Sequence, residues 1–449
     1  MREKKIVITY GTYDLLHQGH INLLRRAKAL GDYLIVGVTN DNFDRERGKL
    51  NVANNVLERV EAIRGTGLAD KIIIEDYYGQ KVDDIQKYDV DIFAIGSDWT
   101  GKFDYLKEFC EVVYLPRTEG ISSTLLRASH QGICKLGIIG SGRIAHRFVP
   151  EAKFVSGVDV VSVLNPDKKE AEAFAEKFSI RGFSDTAEFL STVDAVYIAS
   201  PHPTHYPYTK QALEAGKHVL CEIPFMLRGS EAEEVFRIAE EKNLVLLEAS
   251  KTAFCPAFTH LLTIVKSGAI GEIVDVRSSL SKMITPPSRE LDAHQAGGAM
   301  TEHSGLTLMS IFKILGLNYK HIQFYSKKGE GVDLFTKIAI TYPHAVSSAT
   351  LGIGVKTEGN LVISGTKGYI YVPAPWWLTD YFEIRYENQT NNKKYFYSYE
   401  GDGLRYELQE FISMIVNGRG STYRMLPKES IAIAQVIEKY RNGENFIEI

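Results

Sequence analysis

Residues 4–31 read KKIVITYGTYDLLHQGHINLLRRAKALG, and the way this stretch folds decides how the first part of the chain is read. An apolar run, Ile6–Tyr10, meets a glycine. A polar turn follows, and then apolar residues recur at helical spacing from Ile21 to Leu30, which is the grammar of a strand, a turn and a helix. The same grammar returns in CKLGIIGSGRIAHRFVP, residues 134–150. Each copy opens an alternation of short β runs and amphipathic helices, the pattern of a parallel sheet covered by helices.

In the first series the strands expected are Ile6–Tyr10, Tyr33–Thr39, Lys71–Glu75, Ile92–Ile95 and Val112–Leu115, with helices at Ile21–Leu30, Val56–Arg64 and Leu125–Ser129. In the second they are Leu136–Ile139, Val160–Leu164, Ala195–Ala199, His218–Cys221 and Val245–Glu248, with helices at Lys168–Phe178, Tyr206–Glu214 and Glu231–Lys242. After Ala257 the pattern changes to one helix and then strand-like runs such as EIVDVRSSL, TKIAITY and NLVISGT. That reads as an α+β unit with an open, largely antiparallel sheet. The short segment SHQGICK, residues 129–135, separates the two series. The expected domains are 1–131, 132–256 and 257–449.

Composition narrows the class. The chain has 449 residues, 44% hydrophobic and 24% charged, with a net charge of −4, as expected for a soluble multidomain protein. No basic field argues for nucleic acid or an anionic membrane as partner. The four cysteines, Cys110, Cys134, Cys221 and Cys255, are widely spaced, which suggests neither a disulfide framework nor a zinc site. Reduced thiols in a cytoplasmic protein are the expectation. The N-terminal MREKKIVITYG lacks the apolar core of a signal peptide, and no apolar run is long enough for a membrane span.

Within the first stretch, His17 and His20 lie three apart around Gly19, at a helix start. A helix start offers free N–H groups and a positive dipole end, and two imidazoles there can donate to the same anion. Two helix-capping histidines would give the same spacing. The surroundings are more specific. GTYDLLHQGHINLLRRAKALGDYLIVGV (11–38), GSDWTGKFDYL (96–106) and CEVVYLPRTEGISST (110–124) together resemble the nucleotidyltransferase superfamily with the HxGH signature, and within it the glycerol-3-phosphate cytidylyltransferase group.

That resemblance implies a Rossmann-like nucleotidyltransferase domain and assigns roles by position. His17 and His20 bind the triphosphate of CTP, with Mg²⁺ accompanying it. Lys49, Arg117 and Thr118 are phosphate contacts, with Ser122, Ser123 and Thr124 at the next helix start. Gly11, Thr12, Tyr13, Asp14 and Gly19 form the first turn, and Asp98 and Trp99 border the nucleotide or acceptor pocket. Arg59 matches a family arginine. A second family arginine falls at Gly67, so either Arg64 substitutes for it or one cation fewer is used. The acceptor's phosphate is already an anionic nucleophile, so positioning and cationic stabilisation are sufficient and no base is required.

The second glycine turn, Gly140, Gly142 and Ala145, is a dinucleotide fingerprint. The position that reads the adenine ribose holds Asn165, which neither demands a 2′-hydroxyl nor repels a 2′-phosphate, leaving NADP and NAD both open. VYIASPHPTHYPYTKQALEAGKHVLCEIP (196–224), SGAIGEIVDVRS (267–278), GGAMTEHSG (297–305) and ELQEFISMIVNGR (407–419) resemble the Gfo/Idh/MocA oxidoreductase family. The resemblance implies a dinucleotide-binding Rossmann domain and a C-terminal α+β domain. The cofactor-binding set it implies is Gly140, Ser141, Gly142, Arg143, Ile144, Asn165, Ser200, Pro201, His202, His205, Glu222 and Pro224.

Two departures bear on the chemistry. The family has Glu-Lys-Pro where this chain has Glu222-Ile223-Pro224, and a histidine or tyrosine where it has Leu306. Both usual proton-handling positions are apolar. Lys251 and His303 are the candidates to replace them, and Glu302 to contact substrate. The spacing of the SPHPTH loop suggests no metal site. The expected whole is a bifunctional homo-oligomeric enzyme. It would reduce a small carbonyl precursor and activate a small polyol phosphate as a CDP-linked donor for a capsule or teichoic-acid-like polymer. The alternative is a cytidylyltransferase carrying a catalytically silent dinucleotide-binding region.

Overall fold

The computed structural model describes residues 4–46, 52, 54–77, 79–116, 133–329, 331–397, 399 and 401–449; the side chains of residues 42, 45, 46 and 98 lie outside that description. The chain forms two compact units, 1–133 and 134–449.

The first unit is built on β1 (Ile6–Gly11), β2 (Tyr33–Thr39), β3 (Lys71–Glu75), β4 (Ile92–Gly96) and β5 (Glu111–Leu115). The strands pair in the order β3-β2-β1-β4-β5, all parallel. β1, β2 and β4 are almost wholly buried, which explains their continuous Val/Ile runs, because a parallel sheet has helices on both faces. Order reverses between β1 and β4, so the turns that follow these two strands diverge and leave a crevice at their C-terminal ends. Helix Gln18–Lys28 follows β1. Helix Val56–Gly65 starts at a capping box between Asn55 and Glu58. Helix Gln80–Lys87, not expected from sequence, is short and polar; it buries only Gln80, Asp84 and Ile85.

The second unit holds two sheets. The parallel one comprises β6 (Cys134–Ile139), β7 (Val158–Leu164), β8 (Arg181–Phe183), β9 (Ala195–Ile198), β10 (His218–Glu222) and β11 (Leu246–Ala249), in the order β11-β10-β9-β6-β7-β8. Its switch point lies between β6 and β9. The other sheet, among the described residues, has nine strands: β12 (Ile273–Ser281), β13 (His321–Lys328), β14 (Asp333–Thr341), β15 (Val346–Gly352), β16 (Leu361–Gly365), β17 (Tyr369–Val372), β18 (Tyr381–Arg385), β19 (Lys393–Phe396) and β20 (Phe446–Glu448). They are ordered β19-β18-β17-β16-β12-β15-β14-β13-β20. Only β12–β15 and β13–β20 pair parallel, so the sheet is mixed and largely antiparallel. Helix Ala299–Leu315 packs on β12, β14 and β15 and is buried over nearly its whole length. That packing delivers its first turn, with Glu302 and His303, to the dinucleotide side of the unit.

Candidate active sites

In the first unit the turn after β1 runs directly into the N-terminus of helix Gln18–Lys28, with His17 as its N-cap. The backbone N–H of Gly19 donates to Nδ1 of His17 at 3.1 Å. In the neutral ring the proton therefore sits on Nε2. The ring of His20 stacks on His17, centroids 3.8 Å apart, and meets the edge of Tyr13 at 5.5 Å. The two imidazoles and the helix start thus form one corner at the crevice, an arrangement suited to an anion. Three basic residues, Arg25, Arg26 and Lys28, occupy the helix's last turn and complement its other end.

The remaining turn residues look inward. Thr12, Tyr13 and Asp14 are buried. The hydroxyl of Thr12 donates to Asp44 at 2.8 Å, and Asp14 accepts from the backbone N–H of Asn54 at 3.0 Å. They shape the turn. Arg59 is a correction to the sequence expectation of a nucleotide contact. Its guanidinium is fully buried and donates to the carbonyls of Asn54 at 2.9 Å, Thr12 at 2.6 Å and Thr39 at 2.9 Å, and to Asp41 at 2.5 Å. Those donors are spent fastening the segments that follow β1 and β2, so Arg59 positions the site from inside. Arg64 is exposed and paired with Glu61.

On the other side of the switch point, Trp99 ends the short turn after β4. It packs on Phe103 at 5.8 Å, with the Lys102 ammonium 5.1 Å from its ring. Arg26 donates to the carbonyl of Pro116, the residue before Arg117. Lys49, Arg117, Thr118, Ser122, Ser123, Thr124 and the side chain of Asp98 lie outside the described residues, as does the expected helix Leu125–Ser129.

The second unit has a cavity of about 880 Å³ at its switch point. One wall is the glycine turn Gly140–Ile144, with Asn165 and Ser200–His202 beside it. Gly140 has φ +101°, and a Cβ there would lie 2.6 Å from the Ala199 carbonyl oxygen, whereas one on Gly142 would meet nothing within 4 Å. The turn therefore requires glycine at the first position and leaves open space at the second, at the start of helix Arg143–Ala152, which has no side-chain cap. A pyrophosphate fits such a cradle. Asn165 donates to Ser141 at 2.7 Å and accepts from the Asp167 N–H at 2.9 Å, so it also braces the turn.

The opposite wall carries Lys251, Lys282, Arg289, Glu302, His303 and Trp377, and Ile223 and Leu306 also face the cavity. Ile223 packs closely on the helix at Gly305, where a Cβ would sit 3.3 Å from its own. Lys251 donates to the carbonyl of Asp402 at 2.9 Å. Glu222 accepts from the Tyr197 hydroxyl and from the Ile223 N–H at 3.2 Å. Burial pushes the Glu222 carboxyl up against the opposing pull of Tyr197 and Lys251. Burial also pushes His303 down to about 4, so its imidazole is neutral at pH 7. Its Nε2 has no hydrogen-bond partner among the described residues.

Three further expectations need correction. Glu302 is held by Arg289, at 3.0 Å to each carboxylate oxygen, and sits 3.6 Å from His202. Its carboxylate is committed to that pair, and Arg289 is the group it orients. His205 borders the cavity, but its ring nitrogens lie 2.9 Å from the carbonyls of Pro224 and Ser200, so the single N–H of its neutral ring is used between loops rather than on a ligand. Pro224 does not line the cavity. Burial keeps His202 and His205 below the ordinary histidine range. Sequence reasoning missed Lys282, Arg289 and Trp377. They come from a strand end and two loops whose proximity is tertiary, and only the alternation in β12 hinted at one of them.

A histidine-bearing helix start at one switch point and a glycine-turn cavity at another define a chain with two nucleotide sites of different kinds. The family model described as cytidylyltransferase-like matches residues 8–129, and that of the oxidoreductase family with an NAD-binding Rossmann fold matches residues 134–250. The glycerol-3-phosphate cytidylyltransferase of Bacillus spizizenii is 52% identical over 123 residues, covering 27% of this chain and 95% of that protein. The trans-1,2-dihydrobenzene-1,2-diol dehydrogenase of Oryctolagus cuniculus is 29% identical over 320 residues, 68% of this chain and 97% of that one. A 3-ketoreductase from Actinomadura kijaniata, solved with NADP and TDP-benzene, shares the fold with TM-score 0.65 and 21% identity, covering 71% of this chain and 99% of that one.

The chain belongs to the cytidylyltransferase-like family through its first unit, and its second unit resembles the Gfo/Idh/MocA oxidoreductases. It is an enzyme of the nucleotidyltransferase class fused to an NAD(P)-binding oxidoreductase. No helix among the described residues is long and apolar enough to cross a membrane.

Proposed function

We propose that the first unit transfers cytidylyl from MgCTP to a small polyol phosphate, such as glycerol phosphate or another alditol phosphate. In this reading an acceptor phosphate oxygen attacks the α-phosphorus in line, and pyrophosphate leaves. His17, through Nε2–H, and His20 bind the departing phosphates at the helix start. Stabilisation there acts on charge as it develops. The carrying observation is the corner itself: two stacked imidazoles at a helix N-terminus, at the switch point.

The second unit, in the same reading, reduces a carbonyl precursor to the polyol or polyol phosphate that the first unit activates. The dihydronicotinamide of the bound dinucleotide supplies the hydride. Gly140–Ile144 hold its pyrophosphate, and Asn165 leaves room for either NADP or NAD. NADP is accommodated at least as well as NAD, because no carboxylate stands at the ribose position to repel a 2′-phosphate. Lys251 gives the proton to the carbonyl oxygen. His303, a neutral donor, hydrogen-bonds the same oxygen. Lys251 is favoured because it is a lysine on the cavity wall that also carries Ile223. The chain acts as a homo-oligomer in the cytoplasm.

A second reading is a silent oxidoreductase region, favoured by the apolar Ile223 and Leu306. The deciding experiment follows NADPH and NADH consumption with dihydroxyacetone phosphate, ketopentose phosphates and their unphosphorylated forms, alongside CTP-dependent pyrophosphate release with glycerol and pentitol phosphates. Rapid pyrophosphate release with no carbonyl turnover would leave only the second reading.

A further inference from the structure

The end of β12 runs along the cavity of the second unit. Leu280, Lys282 and Ile284 all line it, as alternate positions of an extended segment do when one side faces a cavity. Two bonds hold that segment to its neighbour, from the Lys282 N–H to the Gly352 carbonyl and from the Ile284 N–H to the Ile353 carbonyl, 2.9 Å each. Lys282 therefore stands on an otherwise apolar strip, with Leu280 and Ile353 buried beside it. The other cations of the cavity are engaged. Arg143 pairs with Glu290 at 3.0 Å, Arg147 with Asp402 at 3.5 Å and Arg289 with Glu302 at 3.0 Å, and Lys251 donates to the Asp402 carbonyl. The Lys282 ammonium has neither a hydrogen-bond partner nor an ion pair among the described residues.

A second group on the same wall is also open. Nε2 of His303 is buried without a partner among the described residues. The Gly352 carbonyl that accepts from the Lys282 N–H also borders the His303 imidazole. Burial holds that imidazole neutral, and the positive charge of Lys282 acts in the same direction. A lysine that faces a ligand cavity with no counter-charge of its own suits an anion brought by the ligand. The glycine turn across the cavity already accounts for the pyrophosphate of the dinucleotide. We propose that Lys282 binds the phosphate ester of the carbonyl substrate, so that the second unit reduces a ketose phosphate rather than the free ketose. This rests on carbonyl reduction by the second unit. It places phosphorylation before reduction: the alcohol formed already carries the phosphate that the first unit's acceptor needs, and no phosphoryl-transfer step is required between the two.

The full chain saturated with NADPH provides the test, because the fluorescence of the bound dihydronicotinamide reports on ligands entering the second unit. Glycerol 3-phosphate and a pentitol phosphate, which NADPH cannot reduce, are titrated beside glycerol and the free pentitol. Wild type is expected to respond to the phosphates at lower concentration than to the free alditols. Lys282→Met should raise the Kd of the phosphates about 10-fold or more, the scale of a lost hydrogen bond to a charged group, and Lys282→Arg should stay within a few-fold of wild type. No response of wild type to either phosphate, or the same Kd in wild type and Lys282→Met, overturns the proposal. So does a Lys282→Met variant that loses affinity for NADPH but not NADH, which would assign the lysine to the cofactor. Steady-state reduction by wild type separates the two levels. No turnover of any ketose would sink the reductase reading, while the titration would still read Lys282; turnover of a free ketose with the same kcat/KM as its phosphate would overturn the proposal alone.

Discussion

Glu248, one strand over from Glu222, gives a sharp test of the electrostatics behind the second site. It is 1% exposed at the end of β11, opposite Cys221 in register, and neither carboxyl oxygen has a partner among the described residues. Burial raises its pKa from 4.5 to about 7, and the carboxylates of Glu429 and Glu222 push the same way. Glu429 is itself paired with Lys313 at 2.5 Å. The native state therefore holds a proton that the unfolded chain has lost. Between pH 4.5 and 7 wild-type stability falls as pH rises, and above that it levels off. The full displacement corresponds to about 3 kcal/mol. Glu248→Gln cannot titrate, so its stability relative to wild type should rise from under about 1 kcal/mol at pH 5 to about 3 kcal/mol at pH 8. An unsatisfied amide adds an offset, but one independent of pH. Urea unfolding at several pH values, followed by fluorescence of the buried Trp376, measures the slope. Parallel stability curves for the two proteins from pH 5 to 8 would refute the reasoning.

Three functional predictions concern the two sites. His17→Ala is expected to slow CTP-dependent pyrophosphate release about 100-fold or more, the scale of a lost electrostatic donor, while NADPH binding is unchanged; near-wild-type release would remove its role. Gly140→Ala places a Cβ against the Ala199 carbonyl at a left-handed φ, so NADPH binding measured by calorimetry should be lost while cytidylyl transfer persists. Asn165→Asp should shift preference from NADPH towards NADH about 10-fold or more, because a carboxylate there repels a 2′-phosphate and binds a 2′-hydroxyl; an unchanged NADPH/NADH ratio of kcat/KM would show that another residue reads the ribose.

Both parallel sheets were legible from sequence because their strands are apolar on both faces and bounded by glycine or polar turns. The strands that were expected depart from the observed ones by only a residue or two, as at Cys134–Ile139 against Leu136–Ile139; the three-residue edge strand β8, with no apolar run, was not expected. The two glycine or histidine turns were legible for the same local reason: strand end, turn and helix start are contiguous, so the atoms that bind an anion lie within ten or so residues. The absence of the lysine at Ile223 could also be read from the sequence, and so could Lys251 as a candidate for its place.

What the sequence could not decide was which polar side chains face a ligand and which are consumed internally. Arg59 and Glu302 looked like binding groups. Arg59 is buried among the carbonyls of three segments, and Glu302 is clasped by Arg289 from a loop thirteen positions before it. His205 spans two backbone carbonyls. Nor does any local pattern bring the late helix Leu404–Val416 against β10, β11 and the short helix that begins at Lys251, which lie far from it in sequence. By itself the sequence determined the two sheet architectures, the two nucleotide turns and the missing lysine, because each depends on neighbours along the chain. The partners of each charge were decided only by the tertiary structure, because a buried charge is neutralised by whatever the packing brings within reach.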